Sequence, residues 1–210
     1  MTTITVIGGT GFAGSSIVRE AATRGHEVTS VSRTLPSDRI VGVTYRQGTI
    51  ADAPISGAEV IVGAVSARGE TAGTLIEAYG TLAKAAAAQD ARLIIIGGFS
   101  SLRPASGAPR FAEGDGIPAE FAAEALEMNA VLNSLADAPE NLDWVFVSPA
   151  GSYGAYAPVT EPTGTYRVGG DVAILDDDGH SAITGPDFAL AIVDEIEKNA
   201  HHREHISIVG

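Results

Sequence analysis

The stretch from Ile4 to Gly14 reads ITVIGGTGFAG and limits the possible folds more than any other part of the chain. A short β-branched run ends at Ile7, and glycines follow at positions 8, 9, 11 and 14. A helical pattern then runs from about Phe12 to Arg24 and is closed by Gly25. Strand, glycine-rich turn and helix in immediate succession are the context of a dinucleotide-binding unit. Glycine permits the tight turn, lets backbone approach a pyrophosphate, and lets the helix pack close to the strand. First-turn N–H groups of such a helix point at an anion, and the helix dipole adds to the attraction. The spacing here is Gly8-x-x-Gly11-x-x-Gly14 rather than G-x-G-x-x-G, so the flanking strand and helix carry much of the inference.

The remainder of the sequence extends this pattern. Further strands are expected at Glu27–Val31, Val43–Arg46, Glu59–Ala64, Arg92–Ile96 and Leu142–Val147, with helices over about Thr71–Gln89 and Pro118–Ala136. Apolar strands alternating with helices predict an α/β fold, a doubly wound parallel sheet covered on both faces, with ligand at the C-terminal strand edge. Beyond Ser148 the periodicity weakens. Short strands are expected at Tyr166–Val168, Val172–Leu175 and Ala182–Thr184, with a hairpin turn at Asp178-Gly179. A helix over Pro186–Lys198 and a strand over His205–Val209 close the chain. The C-terminal third reads as a small substrate-side elaboration of one Rossmann-type domain spanning 1–210.

With 210 residues the chain supports one well-buried domain. Thirteen basic against 26 acidic residues give a formal charge of −13, which disfavours a nucleic-acid partner. No apolar run approaches the ~20 residues of a membrane span, no signal-peptide pattern precedes the first strand, and cysteine is absent. These features predict a cytoplasmic protein without disulfides or thiolate metal sites. His201, His202 and His205 with Glu204 superficially suggest a metal site. They lack H-E-x-x-H order, and no metal is expected. Asp176-Asp177-Asp178-Gly179 lacks calcium-loop spacing, and no G-x-S-x-G elbow anchors a hydrolase.

The second strand ends Ser30-Val31-Ser32-Arg33-Thr34, without the acid that binds a ribose 2′-hydroxyl in NAD-preferring folds. Arg33 is instead suited to a 2′-phosphate, with Ser32 or Thr34 as hydroxyl donors. NADP(H) is therefore expected over NAD(H).

GGTGFAG, SVSRT, IIIGGFSSL, LDWVFVSPA and ITGPDFALAIVDEIEK together resemble the atypical short-chain dehydrogenases. Within that group the chain is similar to small NAD(P)H-binding proteins of the NADH-flavin reductase type, with NmrA-like proteins and biliverdin reductase B more distant. The resemblance covers essentially the whole chain and implies strand order 3-2-1-4-5-6-7. It also implies that Gly8, Thr10, Gly11, Phe12 and Ala13 hold the diphosphate, with Arg33 at the 2′-phosphate, while Gly14 joins the cofactor-binding set from the glycine spacing. Relatives usually carry Gly-Asp-Leu/Ile after the third strand, the Asp contacting adenine. Here Gly48-Thr49-Ile50 lacks that carboxylate and keeps the backbone contact at Ile50. Ala64, Val65 and Ser66 match the segment beside the nicotinamide ribose.

Ordinary members use a Tyr-x-x-x-Lys pair, in which lysine and ribose lower the tyrosine pKa for proton transfer. None of the tyrosines at 45, 79, 153, 156 and 166 has lysine four residues later. No catalytic residue is assigned, and carbonyl reduction by that mechanism is disfavoured. Substrate-pocket candidates are Phe99, Ser100, Ser148, Pro149 and Tyr153, at the ends of the fifth and sixth strands. The expected activity is reduction of a planar small-molecule acceptor, flavin or quinone-like, whose heteroatoms take protons from water. The alternative is a non-catalytic NmrA-like redox sensor, with the loop from Arg103 to Gly116 as its switch. An isomerase or epimerase is disfavoured by the missing pair. Oligomeric state stays open.

Overall fold

The computed structural model describes residues 1–158 and 160–210. The chain runs β1 (Thr3–Ile7), α1 (Phe12–Thr23), β2 (Glu27–Ser32), β3 (Val43–Gln47), β4 (Val60–Gly63), α2 (Leu75–Ala87), β5 (Arg92–Ile96) and α3 (Ala119–Ser134). It continues through β6 (Trp144–Pro149), β7 (Arg167–Gly169), α4 (Gly185–Lys198) and β8 (Glu204–Val209). The strands form one sheet in the order β3-β2-β1-β4-β5-β6-β8-β7, parallel except for the edge strand β7. Among the described residues no helix is long and apolar enough to cross a membrane.

Alternation along the strands assigns side chains to two apolar layers. Ile4, Val6, Ile94, Ile96, Val145 and Val147 pack beneath α1 and α4, with Ile17, Phe188 and Ile192. Ile7, Ile61, Leu93, Ile95, Trp144 and Phe146 pack beneath α2 and α3, with Leu75, Tyr79 and Val131. Strands buried on both faces explain the near-continuous apolar runs in the sequence.

Most of the expected strands and helices are present, with shifts of a few residues. Helix α2 begins at Leu75 rather than Thr71, because Gly69–Thr71 forms a separate 3-10 turn and Gly73 adopts φ +78°. The segments at 172–175 and 182–184 are not strands. Each makes a single bridge to a loop, Val172 to Arg103 and Ala182 to Ser152, because a loop offers no continuous ladder. The closing strand β8 lies beside β6, with β7 antiparallel outside it. The turn at Asp176–Gly179 forms, closed by the Gly179 N–H donating to the Asp176 carbonyl.

The histidines after α4 have protein partners. His201 Nδ1 lies 2.7 Å from Glu195, which is paired at 2.6 Å with the buried Arg92, and His202 Nδ1 lies 3.1 Å from Asp143. Among the described residues no metal-binding cluster is present.

The loop between β5 and α3 is anchored rather than free. Arg103 donates to Asp171 at 2.8 Å and to the Ala108 carbonyl, and Phe111 stacks on Phe99 with centroids 5.0 Å apart. Arg110 donates to the Ser101 carbonyl and to His205 Nδ1 at 3.0 Å. A guanidinium only donates, so Nδ1 accepts and the proton sits on Nε2. Nε2 then donates to Ser148 Oγ at 2.9 Å, and Ser148 donates to the Gly98 carbonyl at 2.8 Å. Burial first, and then the neighbouring Arg110, pushes His205 down to about 4.

Two outcomes are expected from this architecture. A Cβ on Gly14 would lie 2.2 Å from the Gly8 carbonyl oxygen. Gly14→Ala should therefore cost about 1–3 kcal/mol in urea unfolding, in line with other overpacking substitutions; unchanged stability would mean that turn and helix are not in contact. His205 is less basic in the folded protein than its ordinary value of 6.5. The unfolded chain thus binds more protons between that value and about 4, and stability falls as pH drops through this window. The loss attributable to His205 is on the order of 2–3 kcal/mol. Amide protection factors in residues 102–116, taken relative to the intrinsic exchange rate at each pH, should fall over the same range, and equal protection at pH 7 and pH 5 would contradict the anchoring.

Candidate functional site

Loops at the C-terminal edge of the sheet form the candidate site, with the glycine turn as its floor. The N–H groups of Gly8 and Gly9 both donate to the Val31 carbonyl at the end of β2, at 2.9 and 3.1 Å. On the other side, Ala64 N–H donates to the Ile7 carbonyl at 2.8 Å. Gly8 has φ +83°, and a Cβ there would lie 2.4 Å from the Ala64 carbonyl oxygen. Helix α1 starts at Gly11 without a side-chain cap or an acidic residue in its first turn. The N–H groups of Thr10, Phe12, Ala13 and Gly14 have no acceptor among the described residues. An uncapped helix start behind a glycine cradle has the donors and the dipole that a pyrophosphate requires.

On the β2–β3 side, Arg33, Gln47, Gly48, Thr49 and Asp52 line an open depression of about 490 Å³. Gln47 Nε2 donates to the Arg33 carbonyl at 2.9 Å, holding the end of β2. Ser32 is buried and its hydroxyl donates to the Thr34 carbonyl at 2.8 Å, so it shapes the turn and is already engaged. The carboxylate missing at position 49 is present three residues later. Asp52 Oδ1 accepts from the Thr49 N–H and hydroxyl, both at 2.6 Å, and these bonds hold its pKa below the usual carboxylate range. Ile50 is buried, and its N–H has no acceptor among the described residues. Arg33 is exposed and its guanidinium lies 2.7 Å from Glu70 in the loop after β4.

On the β4–β6 side, Ala64 and Val65 are half-buried and Ser66 is exposed. The buried Tyr79 of α2 supports this segment, its hydroxyl donating to the Val65 carbonyl at 3.3 Å and lying 3.4 Å from the Val65 N–H. Burial pushes this phenol well above its ordinary value, which leaves it a packing and positioning group. Glu127 of α3 accepts from Gly73 and Leu75 N–H, each at 2.7 Å, and so caps α2. Glu124 of α3 pairs with Arg68 at 2.5 Å.

Aromatic side chains border this half of the cleft. Phe12, 43% exposed, meets Tyr153 edge-on at 5.1 Å, and Tyr153 packs on Phe188 at 4.6 Å. Phe121 and Tyr156 face each other at 6.2 Å, with Arg68 over the Phe121 ring. Phe99 and Ser100 are half-buried at the end of β5, while Pro149 is buried in β6. Ser148 is fully buried on the α3 face and committed to Gly98 and His205. Its hydroxyl does not face the cleft, because it lies two residues beyond Phe146 and points the same way. The proton on His205 Nε2 also rules the pair out as a base-activated serine. Tyr153 has a buried hydroxyl without an acceptor among the described residues, and burial raises its pKa strongly. Tyr166 and Lys198 do meet, both on Asp194. That cluster includes Arg24 at the end of α1, at the opposite edge of the sheet from the glycine turn.

Sequence reasoning missed Glu70, Asp52, Tyr79 and Glu127. Tyr79 alone left a signal, a tyrosine on the apolar stripe of a helix facing Gly63, where a Cβ would lie 2.5 Å from its ring. Glu70 and Glu127 act across contacts distant in sequence, while Asp52 makes a local turn with Thr49.

Residues 8–199 match the NAD(P)H-binding family. The Bacillus subtilis protein YwnB is 29% identical over 99% of this chain and 98% of its own length. A Streptococcus pneumoniae structure, of a protein proposed to be an NADH-flavin reductase, is 29% identical with a TM-score of 0.87, covering 100% of this chain and 99% of that one. A Bacteroides thetaiotaomicron structure, of a protein proposed to be an epimerase, is 28% identical with a TM-score of 0.87, covering 100% and 97%. Fold, glycine cradle and family match agree: this chain belongs to the NAD(P)H-binding family, on the Rossmann-type fold of the atypical short-chain dehydrogenases.

Proposed function

We propose that the protein is an NADPH-dependent oxidoreductase that reduces a planar acceptor of flavin or quinone type. The observation that carries this reading is the glycine cradle with its free N–H groups, with the exposed aromatic Phe12 at the helix start and no Tyr-x-x-x-Lys motif in the sequence. Gly8, Thr10, Gly11, Phe12, Ala13 and Gly14 would hold the diphosphate and Arg33 a 2′-phosphate. Ile50 N–H and Asp52 would meet adenine, and Ala64, Val65 and Ser66 would flank the nicotinamide ribose. When bound, the nicotinamide supplies the hydride. The protein's own contribution is positioning and exclusion of water. Tyr79 and Glu127 hold the loop after β4 in place, while Phe12, Phe99, Phe121 and Tyr156 offer flat apolar surfaces to a planar ring. Burial raises the Tyr153 phenol and so leaves it a poor proton donor, which suits acceptors protonated by water.

A relative proposed to be an NADH-flavin reductase supports the acceptor class. Epimerisation is less suited to this chain, because no tyrosine is followed by lysine four residues later. The sensor reading is also weakened, since the loop from Arg103 to Gly116, its expected switch, is pinned by Arg110 and Phe111.

Arg33→Ala should weaken NADPH binding about tenfold or more while changing NADH binding less than threefold, as expected for loss of a charged phosphate contact. Titration calorimetry with both nucleotides tests this. Loss of 340-nm absorbance on adding a free flavin or small quinone to wild-type protein with NADPH tests turnover. Tight NADPH binding without oxidation across such acceptors would overturn the reductase reading.

A further inference from the structure

The ion pair between Arg33 and Glu70 has no counterpart in the sequence motif, and it occupies the group assigned to the 2′-phosphate. We propose that Glu70 determines how strongly this site distinguishes a 2′-phosphate from a 2′-hydroxyl, by competing with the phosphate for Arg33. The proposal rests on the dinucleotide reading above and concerns the same site.

Arg33 follows β2 and Glu70 follows β4, and these two strands flank β1 in the sheet. The 2.7 Å contact therefore spans from one side of the glycine turn to the other. Both ends stand on ordered platforms. The β2 end is fixed by Ser32 to Thr34 and by Gln47 to Arg33. The Glu70 turn is tied by the Thr71 hydroxyl to the Ser66 carbonyl at 2.7 Å, and its neighbour Arg68 is held by Glu124. The backbone that carries Glu70 is thus held by the fold, while its exposed carboxylate has Arg33 as its partner.

The depression contains one cation, Arg33, and already one carboxylate, Asp52. With Glu70 counted, two anions surround one guanidinium. A phosphate monoester brings roughly −1.5 to −2 further charges at neutral pH, and on Arg33 it would stand within one ion-pair length of Glu70. It must either displace that carboxylate or bear its repulsion. A ribose hydroxyl carries no charge and can donate to Glu70 while the ion pair stays intact. Glu70 thereby supplies from the β4 loop the acid that the end of β2 lacks, and the preference conferred by Arg33 is moderated. Both partners are exposed, so water and salt limit the effect to a modest one.

The test is titration calorimetry of NADPH and NADH against wild type, Glu70→Gln, Arg33→Ala and the double variant, at low and high salt. Glu70→Gln should tighten NADPH binding about three- to tenfold at low salt and less at high salt, with NADH unchanged within twofold or weakened. In the Arg33→Ala background the substitution should lose most of this effect. An NADPH-to-NADH affinity ratio within twofold of wild type, or an equal gain without Arg33, overturns the role of Glu70 and leaves the cofactor site standing. Failure of wild-type protein to bind either nucleotide overturns both readings.

Discussion

Three backbone segments converge at Gly8, and the geometry of the cleft depends on their contact. The Val31 carbonyl accepts from Gly8 and Gly9, the Ala64 carbonyl lies where a Gly8 Cβ would stand, and Gly14 packs against the Gly8 carbonyl. The start of α1 is drawn onto the end of the sheet until only hydrogen atoms fit between. This close packing aims the uncapped helix N–H groups over the sheet edge. It also brings the ends of β2 and β4 close enough for their loops to meet across β1.

Around that point the molecule separates support from exposure. Strand alternation sends aliphatic side chains into two dry layers, while the loops at the C-terminal edge carry the polar contacts. Those loops are fixed by long-range pairs: Glu127 on the start of α2, Tyr79 on Val65, Arg68 on Glu124, and Arg110 on His205. Three of these join segments more than fifty residues apart. They give the cleft a defined shape without a large apolar cover, consistent with a site that must admit a long polar ligand.

The βα units, both faces of the sheet and the glycine turn were legible because each is set by local pattern. Period-two alternation and a glycine triplet survive in any chain that needs them. The C-terminal elaboration was legible only in outline, since segments 172–175 and 182–184 look extended but find loops as partners rather than strands. Ser148 shows how the site reading went astray. Its place at a strand end suggested the cleft, yet its parity with Phe146 already assigned it to the α3 face.

By itself the sequence determined the fold class, the nucleotide-binding turn and the lack of a tyrosine–lysine motif, because backbone sterics and short-range spacing encode all three. Only the tertiary structure decided which charges face one another. Glu70 meets Arg33, Asp52 returns the carboxylate missing at position 49, Arg110 pins the loop after β5, and Tyr166 joins Lys198 at the edge away from the cleft. Apart from the local turn made by Asp52, these contacts join residues far apart in the chain. Their energies are paid only after the sheet has closed, so no local pattern records them.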